Sequence, residues 1–274
     1  MKKKTIILTF ISVITMGCGL IFYTLLEPYW LEIKEDDFYS PDVPPAFQLT
    51  KVVFISDIHH ADYFSLKRVR QVVETVNKLK PDLIILGGDY VYYEACYTQP
   101  CFSELKKLTA PLGIYGVLGN HDYWADPENS KQSLQEAGFF LLDNNATWVS
   151  NGKDRIKIGG VADLWESNQD LQPTLRDVRD TDFVLLVSHN PDYVEQIKTP
   201  LIDLVLCGHT HGGQVAFFGL WAPILPSRYG QKYRTGRVVT ENTTVIISNG
   251  IGTILPPVRF FVRPQINVIY LKRQ

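Results

Sequence analysis

The stretch GHTHGGQV, Gly208–Val215, directly follows the apolar run DLVLC at residues 203–207. A short, continuous apolar run of this kind reads as a strand buried on both faces. Two histidines, one residue apart, therefore stand among glycines where that strand should end. The same arrangement recurs along the chain. KVVFIS runs into Asp57 and His59, DLIIL into Gly87-Gly88-Asp89, IYGVL into Gly119-Asn120-His121-Asp122, and FVLLVS into His189. Open α/β sheets place their ligands outside the carboxyl ends of strands.

Five of the six histidines, His59, His121, His189, His209 and His211, occupy such ends, and His60 lies beside one of them. Any one of them alone reads as an ordinary core or surface imidazole; five at one sheet edge read as a site. Asp57 and His59 are separated by one residue, so an extended backbone would project both to one side while Ile58 packs the other way. His209 and His211 repeat that spacing. Glycines nearby let backbone approach an ion or a phosphate without a Cβ in the way. Imidazoles and carboxylates on such bare backbone suit two metal ions that leave room for an anion.

The remaining strands, RIKIGGV, TVIIS and INVIYL, alternate with turns and with helices opened by Ser65 and running from Glu128 to Ala137. Strands followed by helices early and strands in close succession late imply a layered α/β sandwich with some antiparallel pairing. With 274 residues, 45% apolar and 20% charged, the chain can build a sizeable core. A net charge of −2 gives no reason to expect a nucleic-acid partner.

The N-terminus is a different material. Lys2, Lys3 and Lys4 precede an uncharged apolar run from Thr5 to Leu26, long enough to cross a hydrocarbon core. It reads as an uncleaved anchor; a signal peptide, and lipid attachment at Cys18, are the rival readings. Lysines before the run and acids after it place the following domain outside the cytoplasm by the positive-inside rule. The expected organisation is an anchor with its flanks at 1–34, an extended acidic, proline-containing linker at 35–50, and one catalytic domain at 51–274. Cys96 and Cys101 are equally readable as a disulfide or as two thiols, and Cys207 as a small buried apolar residue.

The ordered series D-x-H, GD, GNHD, H and GHTH resembles the calcineurin-like metallophosphoesterase superfamily. GHTHGGQV together with SRYGQKYRTG, SNGIGTILPPVRFFVRPQI and the N-terminal anchor resembles its bacterial membrane-associated YkuE/YaeI/LpxG-like group. That resemblance implies an α/β/β/α sandwich of two mixed sheets flanked by helices, preceded by one transmembrane helix. It implies one metal held by Asp57, His59 and His211, a second by Asn120, His189 and His209, and Asp89 bridging them. Mn²⁺ is the first choice for such oxygen and nitrogen donors, with Fe or Zn²⁺ as alternatives. His121 would stabilise the leaving oxygen of an in-line displacement at phosphorus, oriented by Asp122. Gln265 departs from the family pattern, where a glutamate is expected.

From Gly212 to Arg263 there are six cations and one acid, and Arg228, Arg234, Arg259 and Arg263 are candidate substrate contacts. The same stretch carries the apolar AFFGLWAPILP and RFFV, which read either as core or as surfaces for acyl chains. Anchor, basic charge and apolar loops point to a bilayer and a phosphorylated lipid or nucleotide-lipid as partners, at a bacterial inner membrane. Within the resembling group this becomes hydrolysis of UDP-2,3-diacylglucosamine to lipid X and UMP in lipid A synthesis. A broad-specificity phosphodiesterase acting on cell-envelope phosphates is the alternative, and a non-catalytic scaffold is the remote one. The nucleotide is cytoplasmic whereas the lysines place the domain outside, so the two clues conflict.

Overall fold

In β2 (Lys51–Ile55), Val52 and Phe54 point to one side and Val53 and Ile55 to the other, and all four are buried. β3 (Leu83–Leu86) repeats the pattern, as do β8 (Val184–Val187) and β9 (Leu204–Cys207). Such strands need cover on both faces. In the computed structural model, which describes residues 2–274, two sheets supply that cover for each other.

The first sheet has the order β1–β12–β2–β3–β4–β5, with β1 at Glu32–Ser40, β4 at Ile114–Gly116, β5 at Phe140–Leu141 and β12 at Gln265–Arg273. The second runs β10–β11–β9–β8–β7–β6, with β6 at Asn145–Asn151, β7 at Asp154–Gly160, β10 at Gly236–Val239 and β11 at Thr244–Ile247. Both are mixed: β2, β3, β4 and β5 pair parallel while β12 runs antiparallel to β2, and β6 and β10 pair antiparallel at the edges of the second sheet. Phe54, Ile85, Leu185, Leu204 and Ile269 meet between the sheets.

The outer face of the first sheet is covered by α2 (Leu66–Lys78), α3 (Thr98–Leu105) and α5 (Pro127–Glu136). Val69, Val72, Val73 and Val76 of α2 form its buried stripe. The Asp126 side chain caps α5 by accepting from the Asn129 N–H, and Gly138 closes it at φ +83°. The outer face of the second sheet is covered by the 3₁₀ turn at Pro191–Gln196, the single-turn α6 (Gln172–Leu175) and neighbouring loops, with Cys207 in that cluster. This is the expected two-sheet sandwich flanked by helices, with a thinner outer layer on one side.

Residues 35–50 are not a free linker. Glu32–Ser40 forms β1, paired in parallel with β12 from Glu32↔Gln265 to Ser40↔Arg273. An edge strand with one face toward solvent can carry four acids and still bury Phe38. The prolines fall after the strand, where Pro45–Phe47 makes a 3₁₀ turn and buries Phe47. Cys96 is exposed, Cys101 is buried beside the Tyr90 carbonyl, and both are free thiols.

The apolar N-terminal run forms α1 (Lys2–Leu26), a helix long and apolar enough to cross a membrane. Its C-terminal end is not a loose tether. The Arg259 N–H donates to Thr24 O at 3.1 Å, and the Phe261 N–H to the Glu27 carboxylate at 2.7 Å. Arg68 donates to Pro28 O at 2.5 Å.

Candidate metal centre

Past the end of β2, Asp57 N–H bonds Gly88 O (2.9 Å) and His59 N–H bonds Asp89 O (3.0 Å), so the two loops run side by side above the sheet. Asp57, His59, Asp89, His209 and His211 all have positive φ, between +50° and +68°. The expectation that Asp57 and His59 share a face of extended backbone is therefore corrected. Left-handed turns beyond the strand, not strand alternation, aim these side chains together. Each such conformation costs about 1–3 kcal/mol and persists where surrounding structure enforces it.

Two glycines permit the approach. A methyl group at Gly119 would fall inside the radius of Asp89 Oδ1 and 2.7 Å from His189 Nε2. One at Gly208 would overlap Asp57 Oδ2 and Ser56 Oγ.

The Nε2 atoms of His59 and His211 stand 2.9 Å apart, with Asp57 Oδ1 3.4 Å from His211 Nε2. Asp89 Oδ2 lies 3.5 Å from His59 Nε2 and 3.2 Å from His189 Nε2, facing both groups of donors. The His189 ring donates through Nδ1 to Gly87 O at 2.7 Å, which leaves Nε2 without a hydrogen-bond partner. His209 Nδ1 sits 3.0 Å from Asn120 Oδ1, and its Nε2 is likewise buried and unpartnered. Buried polar atoms left orphaned in a native structure call for an ion or water. Asp57, His59 and His211 form one group of converging donors, Asp57, Asp89 and His189 another, and His59, Asp89 and His121 a third, while His209 and Asn120 face each other beside His189. These residues fit two divalent cations.

Electrostatics prepares them. Burial holds His59 and His211 well below the ordinary imidazole value and His209 at about 3, which keeps them neutral and able to donate lone pairs. Burial alone would raise Asp89 and lower His189, but the two face each other closely enough that Asp89 is held well below the usual carboxylate range and His189 well above the ordinary imidazole value.

His121 borders the pocket over these donors. Its Nδ1–H donates to Tyr92 O at 2.5 Å, leaving Nε2 as the free ring nitrogen. Asp122 does not orient it, contrary to the sequence expectation. The Asp122 carboxylate accepts instead from the backbone N–H groups of Asp89 (2.8 Å), Tyr90 (2.9 Å) and Gly119 (2.9 Å), tying the two ligand-bearing loops together. Both residues lie in α4 (Asn120–Ala125), where consecutive side chains diverge. His60 bonds Phe64 O through Nδ1 (2.8 Å) and shapes its own loop.

The pocket, about 190 Å³, is walled by Tyr92, Tyr93, Trp124, Trp165 and Ile254, and among the described residues no arginine borders it. Tyr92 stacks on the His121 ring at 4.9 Å, and the Trp165 edge meets His209 at 4.3 Å. DYVYY and GNHDYW place Tyr92, Tyr93 and Trp124 directly after metal-site motifs, a signal in the sequence, whereas Trp165 follows no such motif.

The proposed substrate arginines are dispersed. Arg259 is fully buried, and its guanidinium donates to the carbonyls of Val262, Asn249, Gly250 and Gly252, so it cannot meet a substrate. Arg234 is half-buried and donates to the carbonyls of Gly212 and Gly219. Arg263 lies over the Trp30 ring, and Arg228 is exposed at the surface. Lys232 pairs with Glu195 and Arg237 with Asp36, so the basic stretch does not concentrate its charge at the pocket. Gln265 accepts from the Asn249 N–H at 3.3 Å and donates to Glu32 at 3.1 Å, a structural place on β12.

Two mixed sheets carrying paired Asp/His donors at their strand ends define a dinuclear metal-dependent hydrolase of phosphoesters. The chain belongs to the calcineurin-like phosphoesterase family, whose model matches residues 50–213. It is 35% identical to the metallophosphoesterase YkuE of Bacillus subtilis, over 94% of this chain and 92% of that protein. It is 29% identical to the phosphodiesterase YaeI of Escherichia coli, over 93% of each. A transmembrane protein with a metallophosphoesterase domain from Danio rerio is 28% identical over 84% of this chain and 55% of its own length.

Proposed function

We propose that the protein hydrolyses a phosphodiester or pyrophosphate bond in a phosphorylated lipid at the surface of the bacterial inner membrane. UDP-2,3-diacylglucosamine, cleaved to lipid X and UMP, is the first substrate to test. One observation carries this reading. The segment from Ile254 to Phe261 begins in the wall of the metal pocket and ends against Tyr23 of α1, so reaction site and membrane helix share one piece of chain.

Two divalent cations, Mn²⁺ foremost, would supply an activated water and neutralise charge developing on phosphorus. The residues of the chain do the rest. Asp57, His59, His211, Asn120, His189, His209 and Asp89 would hold the cations. His121, its Nδ1–H held on the Tyr92 carbonyl, presents Nε2 to the leaving oxygen; a proton passes from Nε2 only when the ring is an imidazolium, a form that burial disfavours. Tyr92, Tyr93, Trp124 and Trp165 narrow the approach and exclude bulk water.

A second reading is favoured by the pocket itself: with no cationic side chain on its wall, it has little with which to select a nucleotide. That suits a broad-specificity phosphodiesterase acting on envelope phosphates. Detergent-solubilised protein with Mn²⁺, assayed on UDP-2,3-diacylglucosamine and bis-p-nitrophenyl phosphate in parallel, separates them. Release of UMP and lipid X supports the first reading; cleavage of the generic diester alone overturns it in favour of the second.

A further inference from the structure

From Ala216 to Ser227 the chain reads AFFGLWAPILPS, without one charge. Most of its large side chains are not used as core. Phe218 is 81% exposed, Leu220 79% and Ile224 79%, while Phe217 and Trp221 stack on each other at 5.9 Å and stay half open to solvent. A soluble surface seldom carries such a contiguous apolar patch without a partner.

The position of the loop identifies that partner. The Phe218 ring lies 6.1 Å from Phe261, and Phe261 lies 5.5 Å from Tyr23, a residue in the last turn of α1. Phe260 meets the same tyrosine edge-on at 5.7 Å. A helix of 25 residues is about 37 Å long, little more than a hydrocarbon core of about 30 Å, so Tyr23 falls near one membrane boundary. Groups packed against Tyr23 share that depth. Tyr29 and Trp30, both exposed, follow immediately, with Arg263 over the Trp30 ring. Aromatic and cationic side chains of this kind mark membrane–water interfaces.

We infer that the loop 216–227 is a second membrane contact, inserting Phe218, Leu220 and Ile224 into the leaflet from which α1 emerges. The inference rests on α1 lying in a bilayer. Loop and helix end are joined through Phe260 and Phe261, so together they fix the tilt of the domain, whereas α1 alone would leave it free to rotate about the helix axis.

The test uses full-length protein, one copy per phospholipid nanodisc, carrying a single environment-sensitive fluorophore on an exposed thiol. Three labelled proteins are compared: native Cys18 with Cys96→Ser, Phe218→Cys with Cys18→Ser and Cys96→Ser, and Lys153→Cys in that same background. Lys153 is exposed on the β6–β7 turn and borders Pro41 and Arg273, at the end of β1 and β12 opposite the one that adjoins α1. Spin-labelled lipid should quench the probes at 18 and 218 several-fold and leave the probe at 153 unchanged. A probe at 218 that behaves like the one at 153, while that at 18 is quenched, overturns the loop insertion. An unquenched probe at 18 overturns the premise about α1. Shielding at 218 only when discs hold two or more copies assigns the patch to a second copy of the chain and also overturns insertion.

Discussion

His59 and His211 bring their Nε2 atoms to within 2.9 Å of each other, although the residues are 152 positions apart. Both rings are buried, and both Nδ1 atoms lack a hydrogen-bond partner. Burial disfavours the charged form of each ring, so a shared proton is a poor glue, whereas a divalent cation satisfies two lone pairs at once. The rest of the site is arranged around that convergence.

Because backbone approach makes it possible, Gly208→Ala should fail to load metal while remaining folded. Its added methyl group meets Asp57 Oδ2 and Ser56 Oγ, one a donor to the cation and the other bonded to it. Metal content per chain after dialysis, with circular dichroism as the control for folding, checks this; full metal occupancy would contradict it.

Asp122 serves the loops rather than His121, so its loss should be seen first in stability. Asp122→Ala strands four buried N–H groups, those of Asp89, Tyr90, Val91 and Gly119, at about 1–3 kcal/mol for each that finds no water. A large fall in the urea midpoint is expected for Asp122→Ala and little change for His121→Ala. Equal midpoints would restore Asp122 to a purely chemical role.

Arg259 should behave as a structural residue and Arg228 as neither structural nor essential. Burial lowers the Arg259 guanidinium to about 9, and four carbonyls compensate for its position. Arg259→Met should cost at least the roughly 1–3 kcal/mol of one stranded buried group, whereas Arg228→Ala should stay within about 0.5 kcal/mol. Thermal unfolding of both variants decides it, a stable Arg259→Met contradicting the assignment.

Asp203 links the sheets, accepting from Ser40 Oγ at the end of β1 (2.6 Å) and from the Val184 N–H of β8 (2.9 Å). Burial pushes its carboxyl from 3.8 up to about 6. The folded chain then holds this proton more tightly than the unfolded chain, so its contribution to stability falls as pH rises from about 4 to about 6 and is flat above. Asp203→Asn keeps the shape of the protonated acid and removes that slope. Its advantage over wild type in urea unfolding should grow across that window and then level off; a constant difference would refute the assignment.

Much of this was legible in the sequence because each ligand block ends an apolar strand, and a strand buried on both faces announces itself locally. What was not legible depends on contacts between distant segments. β1 has no apolar run, and its partner β12 lies more than 200 residues away. Counting cations from Gly212 to Arg263 gave their number but not what each one faces: Arg259 serves carbonyls of an irregular loop, and Arg237 serves Asp36. The spacing of Asp57 and His59 located the donors, yet their convergence comes from left-handed backbone that no residue preference foretells for aspartate and histidine.

Metal stoichiometry measured beside turnover of bis-p-nitrophenyl phosphate, for wild type, Asp89→Ala and His121→Ala, bears on the whole scheme. Two ions per chain are expected in wild type and in His121→Ala, with turnover lower by about 10²–10⁴ in the latter. Asp89→Ala should lose both metal and activity. Equal metal loss in the two variants, or an active Asp89→Ala, would contradict the division between a bridging carboxylate and a proton-donating histidine.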